Sequence, residues 1–212
     1  GTVASYGSVS GVMQVAKLVA VKVLSDSGSG SNSAISSGIT YASSINADVI
    51  NMSLGGGGFS SSMNDACELA TSNGVIVIAA TGNDSASSIS YPAKYSSVFA
   101  VGSVTSSRRR SSFSNYGSGL DIMAPGSSIY STTNNGSYGY KSGTSMACPH
   151  MAGVAGLVRS AAPNISVAAA KKLMKDTAQY AGSEWEYGSG IADARAALEA
   201  LDVTTPTPTV TP

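Results

Sequence analysis

Apolar and polar positions along the chain follow two periods. Residues 17–24, KLVAVKVL, are apolar and β-branched over most of their length. That is the pattern of a strand covered on both faces, with Lys17 and Lys22 reaching solvent near its ends. The polar loop SDSGSGSN follows, and Ile35, Ile39, Ala42 and Ile45 then recur at helical spacing across residues 33–47. This predicts a helix with one inward stripe. DVINMSL, residues 48–54, repeats the strand signal and is stopped by the four glycines 55–58. Ser60 or Ser61 can cap a second helix with Met63, Cys67 and Ala70 inward, and Asn73-Gly74 ends it. Further strands are expected in residues 74–83, 97–104 and, as a short one, 120–126. The last third turns helical: Thr144 to Ala162, lined with Ala and Gly and ended by Pro163, then residues 166–178 and 193–201. Strands joined by helices or other long crossovers predict an α/β fold whose mostly parallel sheet carries helices on its faces.

Length and charge narrow the picture. At 212 residues the chain fits a single domain, and its 12 Lys+Arg balance 12 Asp+Glu, with charged residues only 11%. A near-neutral surface offers no field for phosphate, which argues against nucleic acid as a partner. The basic run Arg108-Arg109-Arg110 is expected to be a solvated loop. Cys67 and Cys148 lie among apolar neighbours in helical segments and read as buried free thiols rather than a bridge. No apolar run reaches the ~18 residues of a membrane span, so no membrane partner is expected. Residues 203–212, VTTPTPTVTP, read as a Thr/Pro tail or linker stub.

Three short stretches carry candidate chemistry. In GTSMACPH, Gly143 to His150, Ser145 is either an ordinary helix cap or a nucleophile placed where first-turn N–H groups stabilise negative charge. Pro149, four residues on, cannot give the Ser145 carbonyl its helical donor. Asn83 follows a strand through Thr81-Gly82, at the carboxyl edge where open sheets place ligands; it is either a turn residue or a neutral donor to a developing oxyanion. Ser53-Leu54-Gly55 also ends a strand and, like Gly28-Ser29-Gly30, is either a plain turn or a place where an extended peptide pairs as an added strand. His150, the single histidine, lies five residues beyond Ser145, ~7.5 Å along one helix and out of reach of its hydroxyl. It reads as structural.

Together these stretches resemble the subtilisin-like serine proteases, the subtilase family, from Gly1 to about Leu201. GTSMACPH is similar to the family's nucleophile motif, AATGND to its oxyanion motif, VINMSLGG to the strand lining its substrate groove, and RRSSFSNYGS to its proteinase K-like and bacterial secreted branches. The resemblance implies a three-layer sandwich and a secreted serine endopeptidase, with Ser145 as nucleophile and Asn83 as oxyanion donor. It implies substrate contacts at Gly28, Ser29, Gly30, Ser53, Leu54, Gly55, Ala80, Thr81, Gly82, Ser90, Thr144 and Met146, and a cis Tyr91–Pro92 bond. No cofactor is required for the chemistry. A structural calcium site is implied at Asp121 with the carbonyls near Ala93, Tyr95 and Val98, although a single carboxylate makes a weak oxygen site.

Gly1-Thr2-Val3-Ala4 aligns with the end of the family's H-G-T-H-V-A-G motif. The expectation is therefore a fold that is N-terminally incomplete, residues 1–202 forming a partial peptidase domain without the part that carries the family's catalytic Asp and His. The chain alone is then expected to be nearly inactive. Its expected partners are extended peptide or protein substrates and an N-terminal fragment or propeptide. A non-catalytic module that binds extended peptides and an inactive structural fragment are the alternatives.

Overall fold

The computed structural model describes residues 1–201, so the Thr/Pro stretch 203–212 lies outside the described residues. Four strands form one parallel sheet in the order β1 (Val49–Met52), β2 (Ile76–Ala80), β3 (Phe99–Val104) and β4 (Ile122–Pro125). Helices α1 (Asn32–Ser44) and α2 (Ser61–Ser72) flank β1 in the chain, while α3 (Thr144–Ala161), α4 (Val167–Asp176), α5 (Glu184–Tyr187) and α6 (Ala194–Glu199) close it. A hairpin of β5 (Ile129–Thr132) and β6 (Tyr138–Lys141) stands apart from the sheet.

Strand periodicity explains the layers. In β2 every residue is buried, with Val77 and Ala79 meeting α1 and α2 while Ile76, Ile78 and Ala80 meet α3. Successive side chains leave a strand on opposite faces, so a continuous apolar run is what a sheet covered on both sides requires. The helices start where the sequence provides an acceptor: Ser31, Ser60, Ser166 and Asp193 each take a hydrogen bond from a first-turn backbone N–H. The expected sandwich of a mostly parallel sheet between helices is therefore present.

Three expectations change. Residues 17–24 are extended but join no ladder, and Leu18 and Val19 are 67% and 53% exposed. Among the described residues β1 pairs only with β2, so the apolar run has no neighbouring strand to bury it. Only Val23 and Leu24 reach the core. The second change concerns the glycines that line α3: the bare faces of Gly153 and Gly156 receive Val12 and Met13 of the amino-terminal segment. A methyl group on Gly153 would come within 2.5 Å of Val12 Cβ. That segment is tied down by its own bonds, Val12 N–H to Thr2 O at 3.0 Å and Met13 N–H to Val3 O at 2.8 Å. The amino-terminal segment thus lies against α3 through Val12 and Met13 without forming a helix or strand. Third, Arg110 is not simply solvated, because its guanidinium donates to Ser114 O, pairs with Glu186 at 3.3 Å and lies 4.2 Å from the Tyr116 ring centroid.

Candidate functional site

The carboxyl ends of β1 and β2 and the start of α3 meet at one place. Pro149 deprives the Ser145 carbonyl of its usual donor, and the structure supplies another: Ser53 Oγ, just beyond β1, donates to that oxygen at 2.8 Å. In return the Ser145 hydroxyl donates to the Ser53 carbonyl at 3.2 Å. A break in the helical ladder thereby becomes a bridge from the helix to the strand end.

Asn83 is fixed in a complementary way. Its Oδ1 accepts from the Thr144 backbone N–H at 2.8 Å and from Thr144 Oγ1 at 3.0 Å, while Thr144 Oγ1 in turn accepts from the Gly82 N–H at 3.2 Å. With the carbonyl oxygen occupied, the amide nitrogen Nδ2 is the end of this groove-lining side chain left to donate. A methyl group on Gly143 would lie 3.6 Å from both Asn83 Nδ2 and the Ser145 backbone nitrogen. The same point lies 3.7 Å from Asn83 Oδ1, so the Asn83 amide and the Ser145 backbone nitrogen flank one spot beside Gly143, at the positive end of an 18-residue helix.

A groove of about 660 Å³ runs past this point. Ten of the twelve expected substrate contacts line it: Gly28, Ser29 and Gly30 on one rim, Ser53, Leu54 and Gly55 opposite, with Ala80, Gly82, Ser90 and Thr144 around them. Thr81 is fully buried behind the wall, its hydroxyl on the Asn115 carbonyl. Met146 turns into a separate depression of about 210 Å³ beside Gly1, Thr2 and Lys141. The groove also takes in Leu24, Ile35 and Met63, which helical and strand spacing marked only as core, and Tyr91 and Pro92, whose peptide bond is cis.

His150 is structural, as its spacing implied. Its Nδ1 lies 2.8 Å from the Met146 carbonyl, and burial holds its pKa below the ordinary value despite that contact and one with the Pro125 carbonyl. Among the described residues no imidazole faces the Ser145 hydroxyl. Cys67 and Cys148 are buried free thiols, each pushed up to about 12 by desolvation, which leaves them unreactive.

The implied calcium set looks different in three dimensions. Asp121 Oδ1 is paired with Lys175 Nζ at 2.9 Å and Oδ2 accepts from the Ala100 N–H at 2.9 Å, so the carboxylate is already spoken for. Lys171 Nζ donates to Ser97 O at 2.7 Å and lies 5.7 Å from the Phe99 ring centroid. The Tyr95 carbonyl accepts from the Val98 N–H. Among the described residues no group of three or more His, Cys, Asp or Glu side chains is placed to hold a metal ion. A calcium ion on Ala93, Tyr95, Val98 and Asp121 would compete with Lys175 for the Asp121 carboxylate.

Comparison with known proteins places these features in context. The family model described as "Subtilase family" matches residues 1–190. Subtilisin amylosacchariticus of Bacillus subtilis subsp. amylosacchariticus is 47% identical over 206 residues, covering 94% of this chain and 54% of its own length. Subtilisin DY of Bacillus licheniformis is 45% identical, covering 94% of this chain and 75% of its own length. A solved protease structure from Pseudoalteromonas arctica PAMC 21717 superposes with a TM-score of 0.89 at 40% identity, covering 94% of this chain and 68% of that one. The chain spans about half the length of the first of these relatives. The match corrects one expectation. It opens at the first residue and takes in the amino-terminal segment with α1, β1 and α2, so the description of the fold as N-terminally incomplete is withdrawn, while the single histidine remains His150, turned to Met146.

Proposed function

The chain belongs to the subtilase family, and from that premise we propose that it serves a secreted serine endopeptidase acting on extended peptide or protein substrates. The observation that carries this reading is that the Asn83 amide, its Oδ1 held by Thr144, and the Ser145 backbone nitrogen flank one spot beside Gly143 in the groove that Ser145 also lines. In the reaction the Ser145 oxygen adds to a peptide carbonyl carbon, its proton passes to a base, and the carbonyl oxygen becomes an anion facing those two donors. Collapse expels the amine and leaves an acyl-enzyme, which water hydrolyses. No cofactor enters these steps. Substrate backbone pairs along Ser53–Gly55 with Gly28–Gly30 opposite, and the small residues Ala80, Gly82 and Ser90 make a roomy pocket for the side chain that precedes the scissile bond.

In the resting arrangement the hydroxyl proton points at the Ser53 carbonyl, whereas a working base must sit about 2.6–3.2 Å from that oxygen. With His150 turned to Met146, the 212-residue chain acting alone turns over amides slowly.

The test uses the full-length protein and a peptide amide substrate. S145A abolishes turnover and labelling by a serine-directed phosphonylating reagent, whereas N83A keeps the label site and loses kcat. In subtilisin itself the loss of one such donor costs about 10²–10³ in kcat, a magnitude taken over here. Undiminished turnover by S145A overturns the reading. A second reading, a module that clamps extended peptides without cleaving them, draws on the two glycine-bearing stretches, Gly28–Gly30 and Ser53–Gly55, that line the groove. It predicts peptide binding unaffected by S145A and no turnover in either protein.

A further inference from the structure

The segment RRSSFSNYGS gains no role from the chemistry above, yet it contains the most heavily bonded side chain near the site. Asn115 is 1% exposed. Its Oδ1 accepts from the Asp84 N–H at 2.8 Å and the Ala86 N–H at 3.0 Å, and its Nδ2 donates to Thr81 O at 3.2 Å. Its own backbone N–H donates to Gly82 O at 3.0 Å, and its carbonyl accepts from Thr81 Oγ1 at 3.3 Å. Asn115 therefore grips residues 81, 82, 84 and 86 and passes over 83.

The fit around it is close. Gly82 has φ +105°, and a methyl group there would come within 2.4 Å of Asn115 Nδ2 and 2.6 Å of Ser90 Oγ. Nδ2 also lies 3.4 Å from both Ser90 Oγ and Asp84 Oδ2, so one amide touches the groove wall and both flanks of the Asn83 turn. On the other side Thr144 holds Asn83 Oδ1. The backbone of the turn is set by Asn115 and the rotation of the side chain by Thr144.

We propose that Asn115 is a positioning residue for the oxyanion amide, acting through the 81–86 turn to aim Asn83 Nδ2 at the developing negative charge. This rests on the endopeptidase reading given above. Electrostatic stabilisation of a transition state depends on donors already in place, and a displacement near 1 Å costs of order 10² in rate. N115D retains the shape and the acceptor for Asp84 and Ala86 but loses the donor to Thr81 and sets a second carboxylate beside Asp84.

The experiment is a double-mutant cycle in the full-length protein with N115D, N83A and the pair. N115D lowers kcat by about 10–10²-fold with KM within about threefold, and in the N83A background it lowers kcat further by less than about twofold. An equal loss in both backgrounds, or an unchanged kcat with a lowered Tm, overturns the proposal. N115S is the second variant should N115D fail to fold. If neither folds, hydrogen exchange of the unaltered chain decides: Asp84 and Ala86 amides as slow as those of β2 support the brace, and fast exchange there refutes it. To separate this from the endopeptidase reading, the Asn83 side-chain amide resonance is followed in S145A, where no turnover is needed. It shifts on adding N115D if Asn115 positions it, and stays put if not.

Discussion

At the scale of single residues, the exchange between Ser53 and Ser145 shows how a helix defect is made good. Proline at 149 leaves a carbonyl without its donor, and a hydroxyl from a different element fills the place. S53A should therefore leave a poorly hydrated acceptor unpaired, at a cost of about 1–3 kcal/mol in urea unfolding. P149A restores a helical N–H four residues on, so the same S53A change made in that background should cost less than about half as much. Equal costs in both backgrounds would show that the Ser53 hydroxyl does not substitute for the missing helical donor. Sequence alone made the orphaned carbonyl visible, since it follows from spacing. The identity of its new partner was not visible, because residue 53 comes within reach only when β1 and α3 are packed together.

Among the elements, strand and helix periodicity made β1 to β4 and α1 to α4 legible, because those segments are buried on the face their pattern marks, save Ile45, which caps α1 and is 40% exposed. Residues 17–24 carry the same kind of pattern and stay outside the ladder, which shows that composition records a capacity for burial and not a neighbour. The hairpin β5–β6 escaped notice because its tyrosines, Tyr130, Tyr138 and Tyr140, stack on one another in the open instead of entering the core. Asn115 was hidden for another reason: a buried amide looks like any loop asparagine until the turn it braces is folded round it. The link from α4 to the sheet edge, Lys175 to Asp121, yields a further expectation. K175M frees the carboxylate and removes a half-exposed pair worth about 1 kcal/mol or less. The variant should gain a rise in Tm with millimolar calcium that the unaltered chain does not show. A calcium-dependent Tm in the unaltered chain, abolished by D121N, would mean that the ion already outcompetes the lysine.

For the whole molecule, the balanced charge of 12 cationic and 12 anionic residues leaves pH sensitivity to individual buried groups. His150 is the one to watch near neutrality. Burial lowers its pKa from the ordinary 6.5, so the folded state favours the neutral ring and the unfolded state binds the proton more readily. The stability it contributes is complete above about pH 6.5 and is lost as pH falls through the lower folded value. Urea unfolding at pH 7.5 and pH 5 should show that decline, and H150Q should flatten it whatever its effect on absolute stability. An unchanged slope in H150Q would assign the acid sensitivity to other groups.

The alternation within β2 has a practical consequence for protein engineering. Neighbouring positions such as Ile78 and Ala79 answer to different layers, one in the core cluster of α3 and the other in that of α1 and α2. Libraries restricted to odd or to even positions of that strand would thus repack one layer of the sandwich while leaving the side chains of the other untouched.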